Sequence, residues 1–343
     1  MSEAGTFQPG TGTVRLGIIG AGIMGERLLR AAAGQDRVQV AGLWDPAPEA
    51  VARLGAELPG TPFLRSAAAV IEAADCVYVA SPPATHLPHA RAALKAGKAL
   101  FCEKPLAVDV ADAGRFLREA HALPGAGGAR AAVNFPFASS PTVERLGEWL
   151  AGGAIGQVES LAIAADFARW PRGWQHAAAG WLDGPAQGGF TREVVSHFLF
   201  LARRLFGPLV LLQARALFPE AGRSERAIEA RLTAGGLPLS LTGSVGRVAE
   251  DEANSFIATG ASGAERLRNW ALAERRDTAG TWQGDPSAMP HERARPLTLQ
   301  RQLDGVARMT RGEAHHLATL EEAYEVQSIV EAILRSGEEP LAG

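Results

Sequence analysis

Short apolar runs alternate with amphipathic stretches through the first third of the chain. VRLGIIG, from Val14 to Gly20, is apolar over a strand's length; IMGERLLRAAAG follows with helical spacing and ends at Gly34, a residue suited to a C-cap. VQVAGLWD and EAVARLGAEL repeat the pattern, then SAAAVIEAA with DCVYVASPP, then HLPHARAALKAGK with ALFCEKP. A helix from Asp109 to Ala122 closes the series. Strands this short and continuously apolar are covered on both faces, so the pattern predicts a doubly wound parallel α/β domain over residues 14–124.

LPGAGGAR, residues 123–130, breaks the composition, and the texture changes after it. PTVERLGEWLAGG reads as a helix and IGQVESLAIAADF as a partly alternating strand. A loop rich in Trp and Gly leads into GGFTREVVSH, which reads as helical with Thr191 as its N-cap and with Val194, Val195 and Phe198 toward the core. LVLLQARALF, RAIEARLTAGG, LPLSLTGSVG and NSFIATG read as strands separated by Gly and Pro turns. Strands in succession without crossover helices predict an open, mainly antiparallel sheet. A last helix spans roughly His316 to Ser336, carrying Leu317, Leu320, Tyr324, Ile329 and Ile333. The expected organisation is therefore a disordered lead over 1–13, the parallel domain over 14–124 and an α+β domain over 125–343.

Lys and Arg number 34 against 37 Asp and Glu, a formal charge of −3, which gives no electrostatic reason to expect a nucleic acid or an anionic membrane as partner. No apolar run approaches the roughly 20 residues that a membrane-spanning helix requires. MSEAGTFQPGTGT has neither a basic start nor an apolar core, so a cytoplasmic protein is expected. Cys76 and Cys102 sit in apolar strand-like runs and read as buried free thiols.

The chemistry begins at GAGIMG, between the first strand and the first helix. Gly20, Gly22 and Gly25, with Ile23 and Met24 opening the helix, suit a tight turn that brings backbone N–H groups close to a pyrophosphate. Asp45 ends the second strand, where a carboxylate can bind both ribose hydroxyls; DPAPEA offers no Arg, Lys or Ser for a 2′-phosphate, which favours NAD over NADP. In CEKPL, Glu103 and Lys104 stand at the carboxyl edge of a parallel strand, where such sheets bind ligands, and both are expected to contact the cofactor. Lys104 reads two ways: a donor to a substrate hydroxyl beside a nicotinamide, or a surface lysine before a proline. On a regular helix Glu193 and His197, four apart, share one face. Trp170, Trp174 and Trp181 cluster upstream of that helix, as platforms for a substrate ring or as pins for the loop. No metal site is expected, and His315–His316 suit capping or solvent.

GAGIMG, Asp45, SPPATHLPHA, CEKPL, GGFTREVVSH and ATLEEAYEVQSIVEAILRSGE, in this order from about residue 14 to 336, together resemble the Gfo/Idh/MocA oxidoreductase family. The resemblance implies an N-terminal Rossmann domain and a C-terminal α/β domain for substrate binding and oligomerisation, in a dimer or tetramer. It also implies NAD(P)-dependent hydride transfer at a hydroxyl-bearing carbon of a sugar, inositol or related polyol. On it Lys104 takes the place of the catalytic lysine, His197 that of the active-site histidine, and Ser81, Pro82 and His86 that of the loop beside the nicotinamide. Glu193 replaces the family's Asp. Asn134 is followed by Phe135 and Pro136 where the family often has an Arg two residues on. Both departures fall among the expected substrate residues, which here include Asn134, Trp174 and Arg192. Two other activities fit the same resemblance: an NAD-dependent glycosidase working by transient oxidation and elimination, and a non-catalytic NAD(P)-binding regulator.

Overall fold

Residues 12–123 and 128–337 are described by a computed structural model, so most of the expected lead and the centre of the 123–130 break lie outside the described residues. The chain divides into two units. One comprises Met1–Lys104, Arg115–Asn134 and Leu299–Thr319; the other comprises Pro105–Gly114, Phe135–Thr298 and Leu320–Gly343.

In the first unit β1 (Val14–Ile19), β2 (Val38–Trp44), β3 (Cys76–Val79), β4 (Ala99–Cys102) and β5 (Ala131–Val133) form a parallel sheet in the order β2-β1-β3-β4-β5. Helices α1 (Ile23–Ala32), α2 (Pro48–Glu57), α3 (Ala67–Ala73), α4 (His86–Lys95) and α5 (Val110–His121) alternate with the strands along the chain. Because β2 and β3 flank β1 on opposite sides, the strand order reverses there, and the crevice at the carboxyl ends of β1 and β3 is where such sheets bind ligands. Both faces of the sheet are covered. Leu16, Ile18, Cys76, Tyr78 and Phe101 join one core, and each large apolar side chain buried there contributes about 1.5–3 kcal/mol. Cys76 and Cys102 are buried free thiols, and burial pushes the Cys76 thiol up to about 12.

The second unit holds α6 (Pro141–Ala151), β6 (Val158–Phe167), α7 (Ala179–Leu182), α8 (Ser196–Phe206), β7 (Leu209–Leu217), β8 (Ala227–Ala234), β9 (Leu237–Val245), β10 (Glu252–Gly260), β11 (Gly263–Arg268), β12 (Leu272–Arg276) and β13 (Trp282–Gly284). α9 (His291–Arg311) begins in this unit, and α10 (Leu320–Arg335) lies within it. Among the described residues the sheet runs β13-β12-β11-β10-β6-β9-β8-β7. It is antiparallel except for β6 and β9, which run parallel because β6 enters the sheet between β10 and β9, away from its neighbours in sequence. Leu161, Ile163, Ile228, Leu232, Leu239, Leu241 and Phe256 are buried on its covered face.

Three features depart from the sequence reading. β5 lies beyond the composition break yet pairs with β4. α9 was not expected: its sequence is strongly charged and includes Pro296, but Leu303, Val306, Ala307 and Met309 are buried in the first unit's core. β11 and β12 were not expected either. Their charges satisfy one another across the strands, Glu274 with Arg266 at 2.5 Å and Arg268 at 3.1 Å, and Glu265 with Arg275 at 2.9 Å, so no apolar alternation marks them. Among the described residues no helix is long and apolar enough to cross a membrane.

Candidate active site

β1 delivers the chain into a turn that only glycines can make. Gly20 takes φ +111°, and a Cβ on it would lie 2.6 Å from the Ala80 carbonyl at the end of β3. A Cβ on Gly25 would lie 1.9 Å from the Gly20 oxygen, so α1 presses directly on the turn. Gly22 is the opposite case. It is the extended N-cap of α1, no side chain caps the helix, and an added Cβ would meet nothing within 4 Å. That open ground in front of the first-turn N–H groups of Ile23, Met24 and Gly25 is a cradle suited to a phosphate. Asp45 overlooks it from the end of β2. One carboxylate oxygen accepts the Ala21 N–H at 2.7 Å and the other the Ala47 N–H at 2.8 Å. Each oxygen retains a lone pair for a ribose hydroxyl, so these residues fit a dinucleotide.

Beyond β3, Ser81 and Pro82 form a braced loop. His86 Nε2 stands 2.7 Å from the Ser81 carbonyl, and because a carbonyl only accepts, Nε2 carries the proton. Thr85 Oγ1 donates to the Pro82 carbonyl at 2.8 Å and lies 2.7 Å from the Ser81 hydroxyl. His86 is buried and holds the loop. Past β4, the Glu103 side chain turns into a buried network. Its Oε1 accepts from the Tyr78 hydroxyl at 2.5 Å and from Asn134 Nδ2 at 2.7 Å, while Asn134 Oδ1 accepts from Gln302. Burial, and after it the Glu103 carboxylate, hold the Tyr78 phenol well above its ordinary value, so it remains a donor. This corrects the reading of Asn134 as a substrate residue. At 1% exposure its amide is committed to the network that fixes the strand end from which half-buried Lys104 follows.

In the second unit the helix bearing His197 starts with an unusual turn. Thr191–Val195 are π-helical, closed by the Ser196 N–H to the Thr191 carbonyl, before α8 continues as an α-helix. Such turns recur at functional sites. The π turn interrupts the regular helix between Glu193 and His197 that the sequence reading assumed. Thr191 is not the N-cap. Its side chain caps nothing, and its own N–H donates to Glu225 Oε1 at 2.7 Å. Val194, Val195 and Phe198 are fully buried, as expected.

Arg192 also requires correction as a substrate residue. Its guanidinium grips Glu331 with two bonds of 2.6 and 2.8 Å, and Nη1 donates to the Pro185 and Gly188 carbonyls. It is a clamp joining the glycine turn to α10. Trp170 is buried, donates to the Leu182 carbonyl at 3.2 Å and pins its loop. Trp174 is 44% exposed, with the Arg172 guanidinium 4.8 Å from its ring.

His197 is buried among rings: Trp270 at 5.3 Å, Phe135 at 5.4 Å and Phe137 at 6.2 Å, all edge-on. Sequence reasoning missed Trp270, which comes from the β11–β12 turn and carries no local signal. It also missed Glu225, a fully buried carboxyl whose proton affinity is raised chiefly by that burial.

Comparison with known proteins is consistent with this geometry. The Gfo/Idh/MocA family model, described as an oxidoreductase family with an NAD-binding Rossmann fold, matches residues 14–124. Inositol 2-dehydrogenase 3 of Saccharopolyspora erythraea is 42% identical over 107 residues, 29% of this chain and 30% of that protein. The chain thus spans about a third of the length of this curated relative. An oxidoreductase from Agrobacterium radiobacter, solved with NAD+, L-tartaric acid and magnesium, superposes with a TM-score of 0.77 at 17% identity over 94% of this chain and 96% of that one. A 3-ketoreductase from Actinomadura kijaniata, solved with NADP and TDP-benzene, gives 0.75 at 19% identity over 95% and 98%. At these identities the structures establish a shared fold.

Proposed function

We propose, from the premise that this chain belongs through residues 14–124 to the Gfo/Idh/MocA oxidoreductase family, that it transfers a hydride between NAD(H) and a hydroxyl-bearing carbon of a sugar, inositol or related cyclic polyol. The observation that carries the reading is the glycine turn at the β1–β3 switch point, with open space at Gly22 and the Asp45 carboxylate held beside it by the Ala21 and Ala47 N–H groups. When bound, the nicotinamide accepts or donates the hydride. Gly20–Gly25 hold the pyrophosphate, Asp45 the ribose, and the Ser81–Pro82 loop borders the reactive end. Lys104 donates a hydrogen bond to the substrate hydroxyl, and His197 takes or returns its proton. Proton removal matters because hydride leaves an alkoxide-like carbon far more readily than a protonated alcohol. Self-association belongs to the same proposal; Val210 and Leu212, 53% and 64% exposed on the edge strand β7, support it. A cytoplasmic location accords with the two free thiols.

The test is a 340 nm absorbance screen of sugars, inositols and sugar acids with NAD and NADP. Turnover of none of them overturns the assignment. Net NADH also separates a dehydrogenase from a glycosidase, which would purify with stoichiometric NAD and release aglycone without accumulating NADH.

Preference for NAD over NADP rests on Asp45. Asp45→Ser is expected to weaken NAD binding by a factor of about 10, because losing a carboxylate acceptor costs on the order of 1–3 kcal/mol. It should also narrow the preference, as read by fluorescence titration with both cofactors. Equal affinities in the unmutated protein would refute the NAD assignment.

Glu193 is assigned the tuning of His197 from within the π turn. Glu193→Gln is expected to lower kcat/KM by roughly tenfold and Glu193→Asp by less, since a carboxylate brought close to an imidazole stabilises imidazolium. Equal kcat/KM in wild type and the Gln variant would leave His197 acting without this neighbour.

A further inference from the structure

Arg295 stands near the start of α9, in the unit that holds His197. Its guanidinium is half-buried, and Nε donates to His291 Nε2 at 3.2 Å. Among the described residues no carboxylate lies within ion-pair distance of it. More deeply buried guanidiniums of this unit are matched: Arg172 pairs with Glu252 at 2.8 Å, and Arg192 with Glu331. Glu252 has little left to offer Arg295. Its Oε2 accepts from Arg172 and Asn254, and its Oε1 accepts from Trp270 Nε1 at 3.2 Å.

Arg295 is linked to the candidate chemistry through His291 and Trp270. The His291 ring lies 6.1 Å from Trp270, and Trp270 lies 5.3 Å from His197. The indole is held there at a cost. Trp270 has φ +72° and Asn269 φ +45°, a left-handed pair that bulky residues rarely adopt and that tends to persist where function requires it. Asn269 is anchored by two bonds to the Asn254 backbone, at 2.9 and 3.0 Å. Burial pulls Arg295 below the ordinary arginine value and the Arg172 cation pulls the same way, against Glu292 and Glu252. A half-dehydrated cation with no carboxylate hydrogen-bonded to it is costly, and a bound anion offsets that cost.

We propose that Arg295, oriented by His291, recognises an anionic group on the substrate handled beside His197, so that the substrate class is an acidic cyclic polyol rather than a neutral one. This rests on the reading of His197 as a substrate-facing residue. With Nε committed to His291, the two Nη groups remain to grip a carboxylate or phosphate as a fork. Trp270 supplies an apolar wall for the ring that carries the anion.

The experiment compares D-glucuronate, its neutral methyl ester and D-glucose 6-phosphate as ligands of the full chain by isothermal titration calorimetry, and as substrates at 340 nm. Expected is an acid-over-ester affinity ratio on the order of tenfold or more, collapsing in Arg295→Gln and partly restored in Arg295→Lys, which keeps the charge without the fork. Arg295-dependent binding of glucuronate or of the phosphate identifies the anion. Equal binding of acid and ester, with no Arg295-dependent binding of the phosphate, overturns the proposal. So does an unchanged acid-to-ester ratio in an Arg295→Gln protein with normal thermal melting. If nothing is turned over but Arg295-dependent binding persists, the hydride-transfer reading fails and the subsite stands. If neutral inositol is oxidised and no anion preference exists, the subsite fails and that reading stands.

Discussion

Lys104→Met is expected to lower kcat and kcat/KM together by on the order of a hundredfold or more, while NAD affinity stays within about threefold. A group that stabilises charge developing only in the transition state has this signature; one that binds substrate throughout raises KM instead. Methionine retains the length and apolar character of the lysine stem, so packing changes little. The fold gives Lys104 a defined starting point. β4 ends at Cys102, the Glu103 N–H donates to the Val79 carbonyl at 2.9 Å, and the Glu103 carboxylate is held by Tyr78 and Asn134. The lysine therefore leaves a strand end anchored on both its backbone and its neighbouring side chain. Single-turnover measurement of NADH formation, beside fluorescence titration of NAD, separates the two parameters. Near-normal turnover would make Lys104 a surface residue before Pro105.

The parallel domain was legible because its signals are local. β3 and β4 are apolar on both faces and β1 is apolar but for Arg15, and Gly20, Gly22, Gly25 and Asp45 fall at fixed distances from a strand end. What escaped depends on partners distant in sequence. Asn134 and Arg192 are polar residues near the expected site, which suggested ligand contact; their commitments to Gln302 and Glu331, 168 and 139 residues away, could not be read locally. The Arg–Glu ladders of β11 and β12 hide those strands for the same reason: each charge is satisfied only once its partner strand is in register. The glycines before Phe190 did announce a sharp turn. Its cause was not visible, because the group beneath it, Glu225, lies more than thirty residues later.

That pairing leads to the largest expected effect on stability. Gly189 has φ +101°, and a Cβ there would stand 2.2 Å from Glu225 Oε2 and 2.7 Å from Oε1. A carboxylate at the end of a flexible side chain could normally swing aside. Glu225 is fully buried and accepts the Thr191 N–H, so moving it breaks the bond that opens the π turn. Gly189→Ala should therefore destabilise by about 2–4 kcal/mol, of which roughly 1–2 kcal/mol is the left-handed backbone alone. Adding Glu225→Ala removes the collision but not the backbone strain, so the double variant should be less destabilised than the sum of the two singles. Strict additivity in chemical denaturation would show that the carboxylate gives way freely. The carboxyl also makes stability depend on pH with a definite sign. Burial raises its folded value above the ordinary 4.5, so its stabilising contribution is complete below that value and is lost as pH rises through the folded one. Glu225→Gln, which keeps an acceptor for Thr191 without ionising, should gain in melting temperature over the wild type as pH climbs from 4.5 toward neutrality. A gap that stays constant across that range would mean that Glu225 does not change protonation there, and the buried carboxyl would then be no more than a spacer beneath the His197 helix.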